Sequence, residues 1–220
     1  MSVSKIPVYF MPGMAANPTI FKYIQLPEEL YEVHYLAWFL PEKEESLSAY
    51  ALRMTKEIHH ENIILIGVSF GGILVQEMAK HIQVRKLVVV SSVKTKHELP
   101  RRMKFARATK AYKLLPTSLV NNIEVLRKFA FGDLATKRLD LYEEYLSVRD
   151  KNYIDWSIEQ IVNWNQEAPL PNTIHIHGEK DLVFPIQHIS DCITIKGGTH
   201  IMILNKFKWF NENLPKLLND

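Results

Sequence analysis

Ser69 stands in Gly67-Val68-Ser69-Phe70-Gly71, with glycine two residues before it and two after. Glycines at those positions let the chain make a tight turn that projects the serine hydroxyl, because side chains there would clash. The chemistry such a residue can do is nucleophilic attack. A serine hydroxyl is a poor nucleophile until an adjacent base takes its proton, so a histidine oriented by a carboxylate must accompany it. Two late segments carry candidates: "TIHIHG" runs into Glu179-Lys180-Asp181, and "ITIKGGTH" runs into His200. Glu179 and Asp181, two residues apart, are rivals for the acid.

The elements around these residues decide whether they can meet. Ile63 to Ile66 is a short apolar run that reads as a buried strand, whereas Ile73, Leu74, Met78 and Ile82 recur at helical spacing. Ser69 therefore falls on a strand-to-helix turn. Ile6 to Met11, Val33 to Phe39 and Leu87 to Val90 read as further strands. Asn17 and Pro18 are helix-start signals, and Ser46 opens a helix with Leu47, Tyr50, Ala51, Met54 and Ile58 on one face. Alternating strands and helices imply right-handed crossovers and a mostly parallel sheet with helices on both faces. From about Lys94 to Gln166 only helical patterns occur, such as "EVLRKFAF", "LDLYEEYLSV" and "WSIEQIVNW". "NTIHIHG" and "DCITIKGG" then supply two more strands, and "MILNKFKWFNENLPKLL" a closing helix. Asp181 and His200 would thus emerge at the carboxyl ends of late strands, the edge where open α/β sheets keep their sites.

Through "GVSFGG", "HGEKDLVFP", "GGTH" and the early "FMPGM", the chain resembles the α/β-hydrolase superfamily over roughly residues 5–93 and 170–215. The order Ser69, Asp181, His200 is the order of nucleophile, acid and histidine in that fold. The resemblance implies an α/β core of about six strands formed by residues 1–93 and 170–220, and a helical cap over 94–169. It also implies Ser69 as nucleophile, His200 as general base and acid, and Asp181 as the orienting carboxylate; Glu179 fits the family's H-G-x-x-D pattern less well. The oxyanion would be held by backbone N–H groups of Phe70, after the nucleophile, and Met14, after Gly13, with the two side chains shaping the substrate pocket. Pro12 departs from the family, many members of which have a histidine there.

The implied activity is hydrolysis of a carboxylic ester or thioester of small to medium acyl size, needing no metal or organic cofactor. The same machinery serves C–C bond hydrolysis, amide hydrolysis and acyl transfer, and the scaffold also occurs as a ligand-binding protein without catalysis. A serine at the elbow argues against the epoxide hydrolase and haloalkane dehalogenase branches, where related members use aspartate.

Other residues carry weaker signals. His175 and His177 share a strand face at a spacing that can chelate a metal, but with no carboxylate to complete a site His177 is expected to brace the loop of Asp181. His59, His60 and His188 read as solvated or capping residues. Between Lys94 and Lys113 lie eight Lys or Arg and one acid, ordinarily a solvated helix face; the functional alternative is steering of an anionic substrate by Arg101, Arg102 and Arg107. Trp156, Ile158, Ile161 and Trp164, with Phe129 and Phe131, give the cap an apolar side that packs on the sheet. Trp156 and Trp164 are the candidates for roofing an acyl pocket over Ser69.

Composition narrows the field further. The 220 residues, 47% of them hydrophobic, suffice for one domain with a sizeable core. A formal charge of +3 does not argue for nucleic acid as a partner. Cys192 is the only cysteine, which excludes an internal disulfide and fits a reducing, cytoplasmic setting. No apolar run approaches the ~20 residues of a membrane span, so none is expected; the partner that the resemblance implies is a small-molecule ester or thioester substrate.

Overall fold

A computed structural model describes residues 5–115 and 144–219. Phe129 and Phe131 lie outside the described residues. The sheet has six parallel strands in the order β2-β1-β3-β4-β5-β6: β1 Ile6–Met11, β2 Tyr31–Tyr35, β3 Ile63–Val68, β4 Val84–Val90, β5 Thr173–Gly178 and β6 Ile193–Ile195. All six residues of β3 are buried, which is why its sequence is continuously apolar rather than alternating. Strand bounds differ from the sequence reading most at the end of β2 and the start of β4. β2 ends at Tyr35 because its ladder with β1 ends there, Phe10 against Tyr35, and the chain then turns across the carboxyl edge of the sheet. β4 starts at Val84 because Val84 pairs with Ile63 and Lys86 with Ile64, although Arg85 and Lys86 are charged.

Helix α1, Leu47–Met54, follows β2 and is capped by Ser46, whose side chain accepts from Ala49 N–H. Helix α2, Phe70–Met78, follows β3, and every residue of it is buried. Right-handed crossovers running in opposite directions from β1 place α1 and α2 on one face and the 3-10 turn Pro18–Phe21 on the other. Packing agrees with this: α1 lies on α2, while the Pro18–Phe21 turn meets α5, Met202–Asn205. The closing helical stretch is broken at Lys206 into α5 and α6, Phe207–Asn219. Between β4 and β5 the described residues form α3, Arg101–Thr109, and α4, Lys151–Asn163, with no strand among them. α4 packs on both α2 and α3, so this region sits over the carboxyl edge.

The direction of winding reverses between the parallel neighbours β1 and β3, since the connection that leaves β1 runs to β2 on one side and the connection that leaves β3 runs to β4 on the other. Such a switch point opens a crevice at the carboxyl ends of the two strands. Gly13 follows β1 there, and Ser69 follows β3.

Candidate active site

The turn after β3 holds Ser69 at φ 54° and ψ −121°, a region that residues other than glycine rarely enter. Strain of this kind costs about 1–3 kcal/mol and persists where neighbours over-determine it. Here Ser69 N–H donates to Val90 O at 2.9 Å, and Ser92 Oγ donates to Ser69 O at 2.7 Å. The flanking glycines answer to crowding: a Cβ on Gly67 would stand 2.3 Å from Gly71 O, and one on Gly71 would stand 2.3 Å from Pro12 O. Although Ser69 occupies the N-cap position of α2, its side chain makes no capping bond. The hydroxyl instead donates to His200 Nε2 at 2.9 Å.

On its other side, His200 Nδ1–H donates to Asp181 Oδ2 at 2.9 Å. Asp181 is buried, and its Oδ1 accepts from Val183 N–H at 2.8 Å and Phe184 N–H at 2.9 Å. Burial on its own would raise the Asp181 pKa, but His200, His177 and the Phe184 N–H together outweigh it and hold the carboxyl below the ordinary range. The two loops are tied through backbone, Lys180 N–H donating to Gly198 O at 2.7 Å. Glu179 points away from this line, its Oε2 accepting from Gly197 N–H at 2.7 Å.

Behind Asp181 lies a second buried line. His177 Nε2–H donates to Phe184 O at 2.8 Å, which leaves Nδ1 to accept from His175 Nε2–H at 3.1 Å. Both imidazoles are held neutral: burial, His177 and Lys94 push His175 down to about 3, and burial lowers His177 against the pull of Asp181. These two histidines hold each other and the Asp181 loop rather than converging on a common point.

The loop after β1 brings Gly13 beside the serine, where a Cβ on Gly13 would lie 3.3 Å from Ser69 Cβ. Three bonds fix that loop: Trp38 Nε1–H donates to Gly13 O at 2.8 Å, Ala16 N–H donates to the same oxygen at 3.1 Å, and Ala15 N–H donates to Tyr153 Oη at 3.4 Å. Met14 N–H and Phe70 N–H have no acceptor among the described residues. Phe70 is the first residue of α2, where donors are free and the helix dipole favours negative charge.

A cavity of about 780 Å³ opens over Ser69 and His200, walled by Met14, Ile158, Ile161 and Leu182 among other apolar side chains. It is large enough for a drug-sized molecule and predominantly apolar. Among the described residues no helix is long and apolar enough to cross a membrane.

No family model matches the sequence, and no curated protein matches it. Solved structures do. An esterase from Exiguobacterium antarcticum superposes with a TM-score of 0.68 at 19% identity, covering 99% of this chain and 93% of that one. The enol-lactonase from Burkholderia xenovorans gives 0.70 at 15% identity, again over 99% and 93%. A bromoperoxidase from Bacillus anthracis gives 0.66 at 20% identity over the same shares. The chain has the α/β-hydrolase fold.

Within this α/β-hydrolase fold the structure brings Ser69, His200 and Asp181 into one hydrogen-bonded line and sets Met14 in the cavity wall. It leaves the other pocket candidates outside. The Phe70 side chain is fully buried and stacks on Trp38, with ring centroids 4.9 Å apart and planes 8° from parallel. Trp156 and Trp164 do not roof the cavity: Trp156 Nε1–H donates to Glu45 O and Trp164 Nε1–H to Glu77 Oε1, each at 2.7 Å. An indole carries an N–H that burial obliges it to pair, and the partners here lie just before α1 and on α2, so both rings turn toward those helices, Trp156 against Tyr50 and Phe70. Ile158 and Ile161 of the same helix face the cavity instead. Of the three arginines, Arg102 alone reaches the cavity, its guanidinium donating to Leu182 O and Val183 O at 2.8 Å. Arg101 is exposed, and Arg107 donates to Trp164 O and Asn165 Oδ1.

Trp38, Ser92 and Tyr153 support the site but were not singled out from sequence. Trp38 and Ser92 follow β2 and β4, so the rule that open α/β sheets build sites at their carboxyl edge was the available signal. Tyr153 comes from α4, and nothing in its local sequence announces a bond to residue 15.

Proposed function

We propose that the chain is a serine hydrolase acting on a carboxylic ester or thioester whose acyl part is apolar and of small to medium size. The observation that carries this is the unbroken line Ser69 Oγ–His200–Asp181 opening into an apolar cavity. Ser69 Oγ attacks the carbonyl carbon as His200 Nε2 takes its proton; Asp181 keeps Nδ1 protonated and stabilises the imidazolium. The carbonyl oxygen, now negative, lies against Phe70 N–H and Met14 N–H. His200 returns the proton to the leaving alcohol or thiol, and water attacks the acyl-enzyme through the same base. Likeness in fold to an esterase and an enol-lactonase supports carbonyl chemistry of this kind without choosing its substrate.

The test is intact mass after exposure to a fluorophosphonate, with a small and a long-chain reagent, on the wild type and Ser69→Ala. A single adduct that is lost in the variant is expected, followed by turnover of ester or thioester substrates that falls about 10⁴- to 10⁶-fold in Ser69→Ala and His200→Ala. Absence of an adduct with both reagents overturns the reading.

A further inference from the structure

We propose that Glu32, His34 and His60 form a binding site for one divalent transition-metal ion of the zinc class, on the face of the edge strand β2. Glu32 and His34 are two residues apart on β2 and so share a face, and His60 reaches them from the segment that precedes β3. One carboxylate oxygen and one ring nitrogen from each histidine lie within 4.8 Å of one another. His34 Nε2 is 3.2 Å from Glu32 Oε1, and His60 Nε2 is 3.8 Å from the same oxygen. Ligands at ~2.0–2.1 Å from a tetrahedral zinc are about 3.3 Å apart, so small side-chain rotations close the set around an ion.

Two details point to a metal rather than to a plain ion pair. His34 Nε2 is buried and has no hydrogen-bond partner among the described residues, although a carboxylate oxygen is only 3.2 Å away. Two electron-pair donors face each other there without an aligned proton between them, which is the arrangement a shared cation satisfies. His60 is also tethered in the way metal-bound histidines are: its Nδ1 lies 2.6 Å from Tyr9 Oη, and that oxygen accepts from His59 N–H at 3.2 Å. With Nδ1–H donated to Tyr9, the lone pair of Nε2 is directed at the cluster. Tyr9 further orders the site by stacking on His34, its register partner, with centroids 4.6 Å apart.

Two imidazoles and one carboxylate suit zinc, cobalt, nickel or copper rather than magnesium or calcium. The side chains are partly exposed, 28% for His34, 34% for His60 and 49% for Glu32, so an ion can enter from solvent and retain water as its fourth ligand. Tyr9 pairs with Leu65 on β3, short of the Ser69 turn, which places the ion away from the carboxyl edge of the sheet. Its effect is mechanical: it joins the exposed edge strand to the segment before the central strand. His60, expected from sequence to be a solvated or capping residue, becomes a ligand.

Calorimetric titration of the purified chain with zinc sulfate tests this, run in parallel on Glu32→Gln, His34→Ala, His60→Ala and Tyr9→Phe. The expected result is one strong site per chain, weakened at least about tenfold in each ligand variant and about 10- to 100-fold in Tyr9→Phe, which loses only the tether. Cobalt(II) should give the visible bands of a tetrahedral ion in the wild type and none in His34→Ala. At equal zinc, the wild-type Tm should rise more than that of Glu32→Gln. Fluorophosphonate labelling of Ser69 and far-UV circular dichroism report folding of each variant; if a histidine variant fails to fold, Glu32→Gln, changed at an exposed carboxylate, decides. Because the chain has nine histidines, His97→Ala and His188→Ala serve as controls that keep the strong site. Equal zinc uptake by wild type and the three ligand variants, or no uptake by wild type, overturns the proposal.

Discussion

Trp38 Nε1–H donates to Gly13 O at 2.8 Å, and the direction of that bond fixes the direction of another group. Gly13 C=O and Met14 N–H belong to one planar trans peptide, so they point to opposite sides. Pulling the carbonyl toward Trp38 turns Met14 N–H the other way, where it meets no acceptor among the described residues. The same indole stacks on Phe70, whose N–H is the second candidate oxyanion donor. If Met14 and Phe70 N–H are the oxyanion donors of the proposed reaction, Trp38 positions both of them through one bond and one stacked ring.

Trp38→Phe keeps a ring against Phe70 and removes only the indole N–H. Loss of one oxyanion donor outright costs about 2.7–4 kcal/mol, so the variant is expected to lower kcat by about 10- to 100-fold, with KM nearly unchanged. Steady-state kinetics on an activated ester measure this. A fall in Tm with unchanged kcat would make Trp38 a packing residue only.

Asp181→Asn is expected to lower kcat by about 10⁴. Geometry gives the reason. Val183 and Phe184 N–H both donate to Oδ1, so an asparagine must turn its carbonyl oxygen to them and its NH₂ to His200. His200 Nδ1 would then have to accept, leaving the proton on Nε2 facing Ser69. Glu179→Gln, whose carboxylate faces Gly197, should retain near wild-type kcat. The reverse ranking would assign the acid to Glu179.

Ser69→Gly and Ser69→Ala both remove the nucleophile, yet they should differ in stability. Alanine at φ 54° keeps the backbone strain and glycine relieves it. Ser69→Gly is expected to be more stable than Ser69→Ala by about 1–2 kcal/mol in denaturant unfolding, opposite to the usual order of these residues. Equal stabilities would mean the turn is not strained.

The sheet and the Ser69–His200–Asp181 line were legible in sequence because each rests on a local signal. The apolar run before Gly67, the histidine after "GGT" and the aspartate after "HGEK" sit at strand ends that hydrophobic periodicity locates. The orientation of α4 was not legible. Trp156, Ile158, Ile161 and Trp164 are all apolar, and periodicity cannot tell a face on the neighbouring helices from a face on a cavity. What separated them was long-range pairing of the indole N–H groups with Glu45 and Glu77. The bond from Tyr153 to Ala15 and the approach of His60 to β2 are likewise contacts between distant segments. The bond between His60 and Tyr9 joins residues fifty-one positions apart, so no local signal announces it.

That division of α4 predicts two separable phenotypes. Ile161→Phe narrows the cavity and should shift acyl-chain preference toward shorter esters with little loss of stability. Trp164→Phe removes a bond to a buried carboxylate and should lower stability by about 1–3 kcal/mol without moving chain-length preference. Hydrolysis rates across a series of acyl lengths, with urea unfolding of each variant, check both. A changed chain-length profile in Trp164→Phe would return that residue to the pocket.

His175 supplies a pH dependence whose sign follows from its burial. Its folded pKa is pushed from 6.5 down to about 3, so between those values the unfolded chain takes up a proton that the folded chain excludes. Stability is therefore complete above about pH 6.5 and declines as pH falls, by on the order of 1.4 kcal/mol per unit from this one group. His177 and Asp181, also lowered, act in the same direction, the aspartate only nearer pH 4 and below. His175→Gln keeps an amide that can donate to His177 Nδ1 and does not titrate. Urea unfolding of wild type and variant between about pH 4 and 7 should show a shallower decline in the variant by roughly that amount per unit. Parallel curves would mean that His175 takes up its proton in the folded protein as readily as in the unfolded chain, and that its contact with His177 does not hold it neutral.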